Sequence, residues 1–174
     1  AMNFPSSSRP KTYDVDEAKA LLAEADAEGL TLAITTNNGR PGAFAEDLGR
    51  LIVADLIAAG IDATLNPIAS EADFEKAVGE KSLQSWLYTE RPAVADSGYI
   101  FNLYLGATSF LNNTGFANEE FDAYVQKIVC NDPGRERDAT IAAAQDMIQD
   151  LVPSVYLAEA SDIAAAVNDV QGYN

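Results

Sequence analysis

Between residues 86 and 113 the chain collects the side chains with most to offer a small solute: Trp86, Tyr88, Thr89, Glu90, Arg91, Asp96, Asn112 and Asn113. Trp86, Tyr88 and Glu90 stand two apart, so on a strand an indole, a phenol and a carboxylate share one pleated face. The rings make flat apolar walls with polar tips. A carboxylate at Glu90 suits an ammonium group, and the planar fork of Arg91 suits a carboxylate. This is the chemistry of capture rather than of bond making. Plainer roles exist for the same residues: a tryptophan and tyrosine packed under helices, a surface ion pair at Arg91, and turn chemistry at Asp96, Asn112 and Asn113. A hydrolase built on the carboxylates of Glu90 and Asp96 is the enzymatic alternative, although a chain this acidic yields such pairs by chance.

Composition narrows the choice. Eleven basic residues stand against twenty-seven acidic ones, a formal charge of −16. Nucleic acid, whose binding draws on counterion release by cations, is therefore not an expected partner. An anionic membrane surface would also repel the chain, and no run is long and apolar enough for membrane insertion. There is no histidine, which removes the usual general base near neutral pH and the commonest metal ligand. Cys130 is the single cysteine; beside Ile128 and Val129 it reads as a buried, inert thiol. No cofactor and no metal are called for. Ala1-Met2 reads as a remnant of cloning, so the lack of an apolar signal-type run at the start does not locate the protein.

The elements that must hold these residues follow from periodicity. Residues 1–12 read as an extended lead-in, and 13–174 as a single α/β lobe. Asp14-Val-Asp-Glu17 is a capping box for a short amphipathic helix to about Asp26. Leu30–Thr35 alternates as a strand, and Asn37–Gly42 is a turn cluster containing Arg40, a weaker ligand candidate. Phe44, Leu48, Leu51, Ile52, Leu56 and Ala59 fall on one helical face before Gly60. Ile61–Asn66 is a second strand, which makes a βαβ unit with a right-handed crossover. Ser70 caps a shorter helix ending at Gly79, and Leu83–Pro92 is the third strand. Ligands of open α/β sheets sit beyond the carboxyl ends of their strands, which places Trp86 to Asp96 where a ligand would come. Tyr99–Leu105 reads as a short helix, Gly106–Gly115 as a loop, and Asn118 as the cap of a helix striped by Phe121, Val125, Ile128 and Val129. Asp132-Pro133 starts a last long helix carrying Ile141, Ala144, Ile148 and Leu151. Val155–Leu157 and Ile163–Val167 read as short terminal strands. The fold class is a small, mostly parallel sheet flanked by helices.

Several segments, in order, resemble a known family. Tyr13-Asp14, Glu17-Ala-Lys19 and Leu21-Leu22-Ala-Glu-Ala25 are similar to a Y-D-P-x-K-A-K-x-L-L-x-E-A-G segment. Gly115–Asp122 is similar to S-G-Y-x-N-P-E-x-D, and Asp132-Pro133 with Arg135, Arg137, Ala144-Gln145 and Val152-Pro153 to D-P-x-x-R … A-Q … x-P. Val155–Leu157 and Val170–Tyr173 resemble I-P-L-Y and V-x-G-Y. These are segments of the extracellular solute-binding proteins of family 5, the dipeptide- and oligopeptide-binding components of bacterial ABC importers. The resemblance implies a type II periplasmic-binding-protein lobe, the carboxyl-terminal part of a protein about three times longer, well beyond the usual size of one core. It implies a missing amino-terminal lobe, a peptide or small-molecule solute trapped by hinge closure, an ABC permease as partner, and a periplasmic or lipid-anchored extracellular location. In peptide-binding members the stretch at Trp86 reads W-x-x-D-Y-x-D-P, its aspartate meeting the ligand's α-ammonium. Here Thr89 holds that position and Glu90 follows, which opens the solute class to amines, opine-like compounds, sugar conjugates and metal chelates. A sensory module fused to a transcriptional regulator is the alternative use of such a lobe.

Overall fold

The computed structural model describes residues 12–39, 45–88, 93–94 and 96–157. In chain order these form α1 (Val15–Glu24), β1 (Thr31–Asn37), α2 (Ala45–Ala58), β2 (Asp62–Ile68), α3 (Glu71–Gly79), β3 (Ser85–Trp86), α4 (Ser97–Leu105), α5 (Glu119–Cys130) and α6 (Arg135–Leu151). Four helix starts are set by local chemistry. Asp14, Ser70, Asp96 and Asn118 each accept the N–H three residues on, at 2.9–3.2 Å, from Glu17, Asp73, Tyr99 and Phe121 respectively. Each satisfies one of the donors that a helix start leaves unpaired.

The sheet has the order β2-β1-β3, all parallel. Ile34 is level with Leu65 and Ser85, and Thr35 with Asn66 and Trp86. Because side chains alternate along a strand, the two faces can be assigned from their contacts. A Cβ on Gly49 of α2 would stand 2.6 Å from Leu65 Cδ1, 2.8 Å from Thr36 Cγ2 and 3.7 Å from Leu87 Cδ1. Only a hydrogen there lets α2 lie so close, and it fixes Thr36, Leu65 and Leu87 on the α2 face. Thr35, Asn37, Asn66, Trp86 and Tyr88 then belong to the opposite face, where Tyr88 stacks on Phe74 of α3 at 6.0 Å between centroids. Helices thus lie on both faces, as in a doubly wound fold.

The larger core lies in the helices. Phe101 and Leu105 of α4, Phe121, Val125 and Ile128 of α5, and Ile141, Ala144 and Ile148 of α6 form one buried cluster. The Phe121 ring meets Phe101 and Phe116 edge-on at 5.8 and 5.4 Å. Beside the sheet the buried set is smaller: Ile34, Ala59, Ala63, Phe74 and Val78.

Several expectations are corrected. The third strand is only two residues long, although the Leu87 N–H still donates to Thr35 O at 2.9 Å; beyond it Tyr88 is drawn to α3. α3 does end at Gly79 as expected, and the left-handed turn after it falls on Lys81. α6 begins at Arg135 behind an extended Gly134 with no side-chain cap, so Asp132 and Pro133 lie outside it. It stops at Val152 with φ 47°, since the helical region is disfavoured just before Pro153. Leu51, Val129 and Leu151 are exposed. Cys130 is exposed as well: two residues past Ile128 the helix has turned it away from the core. Val155–Leu157 forms no strand, and residues 163–167 lie outside the described residues.

Candidate functional site

The switch in sheet topology falls between β1 and β3. β1 leaves through α2 toward β2 on one side, and the chain returns through α3 to place β3 on the other. In a doubly wound sheet of this order the crevice beyond the carboxyl ends of those two strands is where ligands bind. Trp86 of β3, half-buried, and Tyr88 just beyond it, 40% exposed, lie on the same face at this end of the sheet. The Tyr88 hydroxyl donates to both Glu75 carboxylate oxygens, at 3.1 and 3.2 Å. With the Phe74 stack below, this fixes the phenol ring to α3.

The carboxyl end of β1 holds residues not read earlier as site residues: Thr35 closes the expected strand and Asn37 opens the expected turn cluster. Thr35, Thr36 and Asn37 are 1%, 0% and 7% exposed. Strands of a parallel sheet usually read as apolar runs, so three buried polar residues on the central strand carry information. Thr35 Oγ1 accepts from Asn66 Nδ2 at 3.3 Å. Thr36 donates to Asn38 Oδ1 at 3.1 Å, and Asn38 Nδ2 donates to Glu46, which also pairs with Arg50. Asn37 Oδ1 accepts from the Gly39 N–H at 3.0 Å. A polar run ending a strand otherwise rich in β-branched residues was the sequence signal available for them.

The remaining expected site residues are placed elsewhere. Thr89, Glu90 and Arg91 lie outside the described residues, as does Arg40. Asp96 caps α4 and pairs with Arg137 of α6 at 2.6 Å. Burial alone would raise its carboxyl, but the hydrogen bonds from Arg137 and the Tyr99 N–H, with the guanidinium charge, hold it below the usual carboxylate value. It borders a groove of about 310 Å³ where α4, α5 and α6 meet, together with Tyr99, Asn102 and Asn131. Asn112 is buried and donates to the carbonyls of Leu105, Gly106 and Phe116 at 3.5, 3.2 and 2.7 Å. Its amide is the brace of the 106–115 loop and is not free for a ligand. Asn113 is half-buried in the same loop. The structure therefore brings Trp86 and Tyr88 together with the end of β1, and separates them from Asp96 and Asn112 by assigning those two to the helical layer.

No family model matches the chain. Heme-binding protein A of Haemophilus influenzae is 28% identical over 171 residues, covering 92% of this chain and 30% of that protein. Among solved structures, the periplasmic binding protein DppA of Helicobacter pylori in complex with the peptide STSA superposes with a TM-score of 0.76 at 22% identity, over 86% of this chain and 30% of its own. HbpA2 of Haemophilus parasuis gives 0.77 at 21% identity, over 87% and 31%. The chain thus spans just under a third of the length of the proteins it matches. Its fold is that of a lobe of a periplasmic solute-binding protein, in agreement with the family 5 resemblance of its motifs.

Proposed function

We propose that this chain is the ligand-binding lobe of an ABC importer's substrate-binding protein, which captures a peptide or a similar small polar solute and hands it to a membrane permease. The observation that carries the reading is the carboxyl end of β1 and β3, where two aromatic rings, Thr35 and Asn37 share one face at the switch of a doubly wound sheet. Trp86 and Tyr88 offer the solute apolar walls, and amide and hydroxyl groups orient it. Glu90 for an ammonium and Arg91 for a carboxylate belong to the same proposal. The site lies in the periplasm or outside the cell, and no bond is made or broken in it.

One lobe supplies half of a cleft. A relative whose name declares heme binding and another holding a peptide frame the solutes to be tried. Calorimetry of the full natural gene product with di- to tetrapeptides, Ser-Thr-Ser-Ala among them, and with hemin is expected to give a dissociation constant of about 1 µM or tighter for one class. The 174-residue chain alone is expected to bind that solute at least about a hundredfold more weakly, or not at all. Silence of the full product toward every solute overturns the reading; micromolar binding by the chain alone overturns its half-cleft character.

A further inference from the structure

Large apolar side chains that face water gather at one end of the helical layer. α4, α5 and α6 alternate in direction: Gly98 at the start of α4 lies against Ile128 near the end of α5, and Phe101 meets Phe121. Arg137 in the first turn of α6 donates to the Ile128 carbonyl. The end of α4, the start of α5 and the end of α6 therefore share one side, where the Ala107 N–H donates to Asp122 at 3.1 Å. On that side stand Phe110, 84% exposed, and Leu151, Val152, Val155, Tyr156 and Leu157, each about half exposed or more. The opposite side holds the groove bordered by Asp96, Asn131 and Arg137, so the two ends of the layer differ in character.

Both halves of this patch are held in place. The Phe110 loop is braced by Ser109, whose hydroxyl donates to the Leu103 carbonyl, and by Asn112, whose amide donates to three carbonyls. Val152 sits in the left-handed region at φ 47°, uncommon for a β-branched residue. Pro153 disfavours the helical region there but leaves the extended one open, so the turn that sends Val155–Leu157 off α6 is strained. Strain of this kind persists where surrounding structure enforces it, yet Val152 is itself exposed. Apolar patches of this kind mark interaction surfaces. Most of each protein that the chain matches lies outside the matched part, whereas a second copy would set another formal charge of −16 against the first. We propose that Phe110 and Leu151–Leu157 form the surface on which this lobe is docked to the remainder of its own natural polypeptide. Glu119, Glu120 and Asp150 are exposed at the same end, so the covering face has an apolar centre and a basic rim. The patch shares no residue with the crevice, and the docking goes beyond the solute-binding reading.

Hydroxyl-radical footprinting of the unaltered full natural gene product, read by peptide mass mapping, tests this without any substitution. Phe110 and Tyr156 are expected to be oxidised at least about tenfold more slowly than in peptides cut from the same protein, because an interface core excludes water. The protection is expected to be the same with and without Ser-Thr-Ser-Ala or hemin, and to survive dilution. Oxidation of both rings at the rate of the free peptides overturns the proposal. Protection that fades on dilution assigns the patch to a second copy and overturns it too, as does protection that appears only with solute. A natural gene product no longer than these 174 residues removes the occupant and ends the proposal. Failure of the solute-binding reading is told apart by calorimetry: silence toward every solute, with both rings still protected, leaves the docking surface standing.

Discussion

Arg137 reaches from the first turn of α6 to two neighbours. Its Nε donates to the Ile128 carbonyl at 2.9 Å and its Nη2 to Asp96 at 2.6 Å. The arginine side chain is 13% exposed and the aspartate 35%, so the pair is shielded on one side only. Arg137→Met strands the Asp96 carboxylate and the Ile128 carbonyl together. The expected loss is about 2 kcal/mol in urea unfolding, below the range for fully buried pairs because Asp96 still meets water. The pH dependence has a definite sign. Asp96 is held below its usual value, so its contribution is complete above about pH 4, the ordinary carboxylate range, and disappears as pH falls through the lower folded value. Asp96→Asn is therefore expected to lower the thermal midpoint at neutral pH and to approach the parent in acid. A constant difference across the titration contradicts this. None of it was legible beforehand, because the pair joins residues 41 apart. The helix cap at the same aspartate is a three-residue event, and such local chemistry is what a sequence displays.

The elements divide along the same line. Caps at Asp14, Ser70 and Asn118 were readable because acceptor and N–H lie within one turn, and the stripe Phe121, Val125, Ile128 because helical spacing repeats. The start of α6 was misplaced: aspartate before proline is a valid start signal, but Gly134 moves the first helical residue to Arg135. β3 was read as long since apolar and aromatic residues continue past Trp86, whereas the pull of Tyr88 toward Phe74 and Glu75 depends on a helix formed earlier in the chain. The approach of α4 to α5 was equally hidden. A Cβ on Gly98 would stand 2.5 Å from Ile128 Cγ2 and 3.1 Å from the Asp96 carboxylate. Gly98→Ala must push these helices apart, and the expected destabilisation is about 1–3 kcal/mol, read as a lower urea midpoint with an unchanged slope. A neutral or stabilising alanine would show that the two helices slip freely past each other.

At the scale of the molecule, charge and packing pull in opposite directions. Ion pairs such as Arg50–Glu46 and Lys76–Glu80 are exposed, and most of the 27 acidic residues exceed what 11 basic ones can neutralise. Self-repulsion of this kind weakens the compact state and is screened by salt. Raising sodium chloride from about 0.05 to 0.5 M is expected to lift the thermal midpoint by about 3 °C or more, near 1 kcal/mol for a chain of this size. A flat or falling midpoint would mean that local pairs already balance the field. Parallel direction was accessible from the alternation of strands and helices, whereas the order β2-β1-β3 was not, because βαβ units of either order read alike. The polar end of β1 was visible as a run of residues but not as part of a site, because Thr35–Asn37 acquires its meaning only once β3 is laid beside it.

Cys130, at the solvent-facing end of α5, is the sole thiol among these residues, as Trp86 is the sole indole. A maleimide dye placed on that sulfur would receive excitation energy from one donor at one known address. The chain carries its own optical ruler from the helical layer to the crevice, and any bending between the two would register as a change in transfer efficiency.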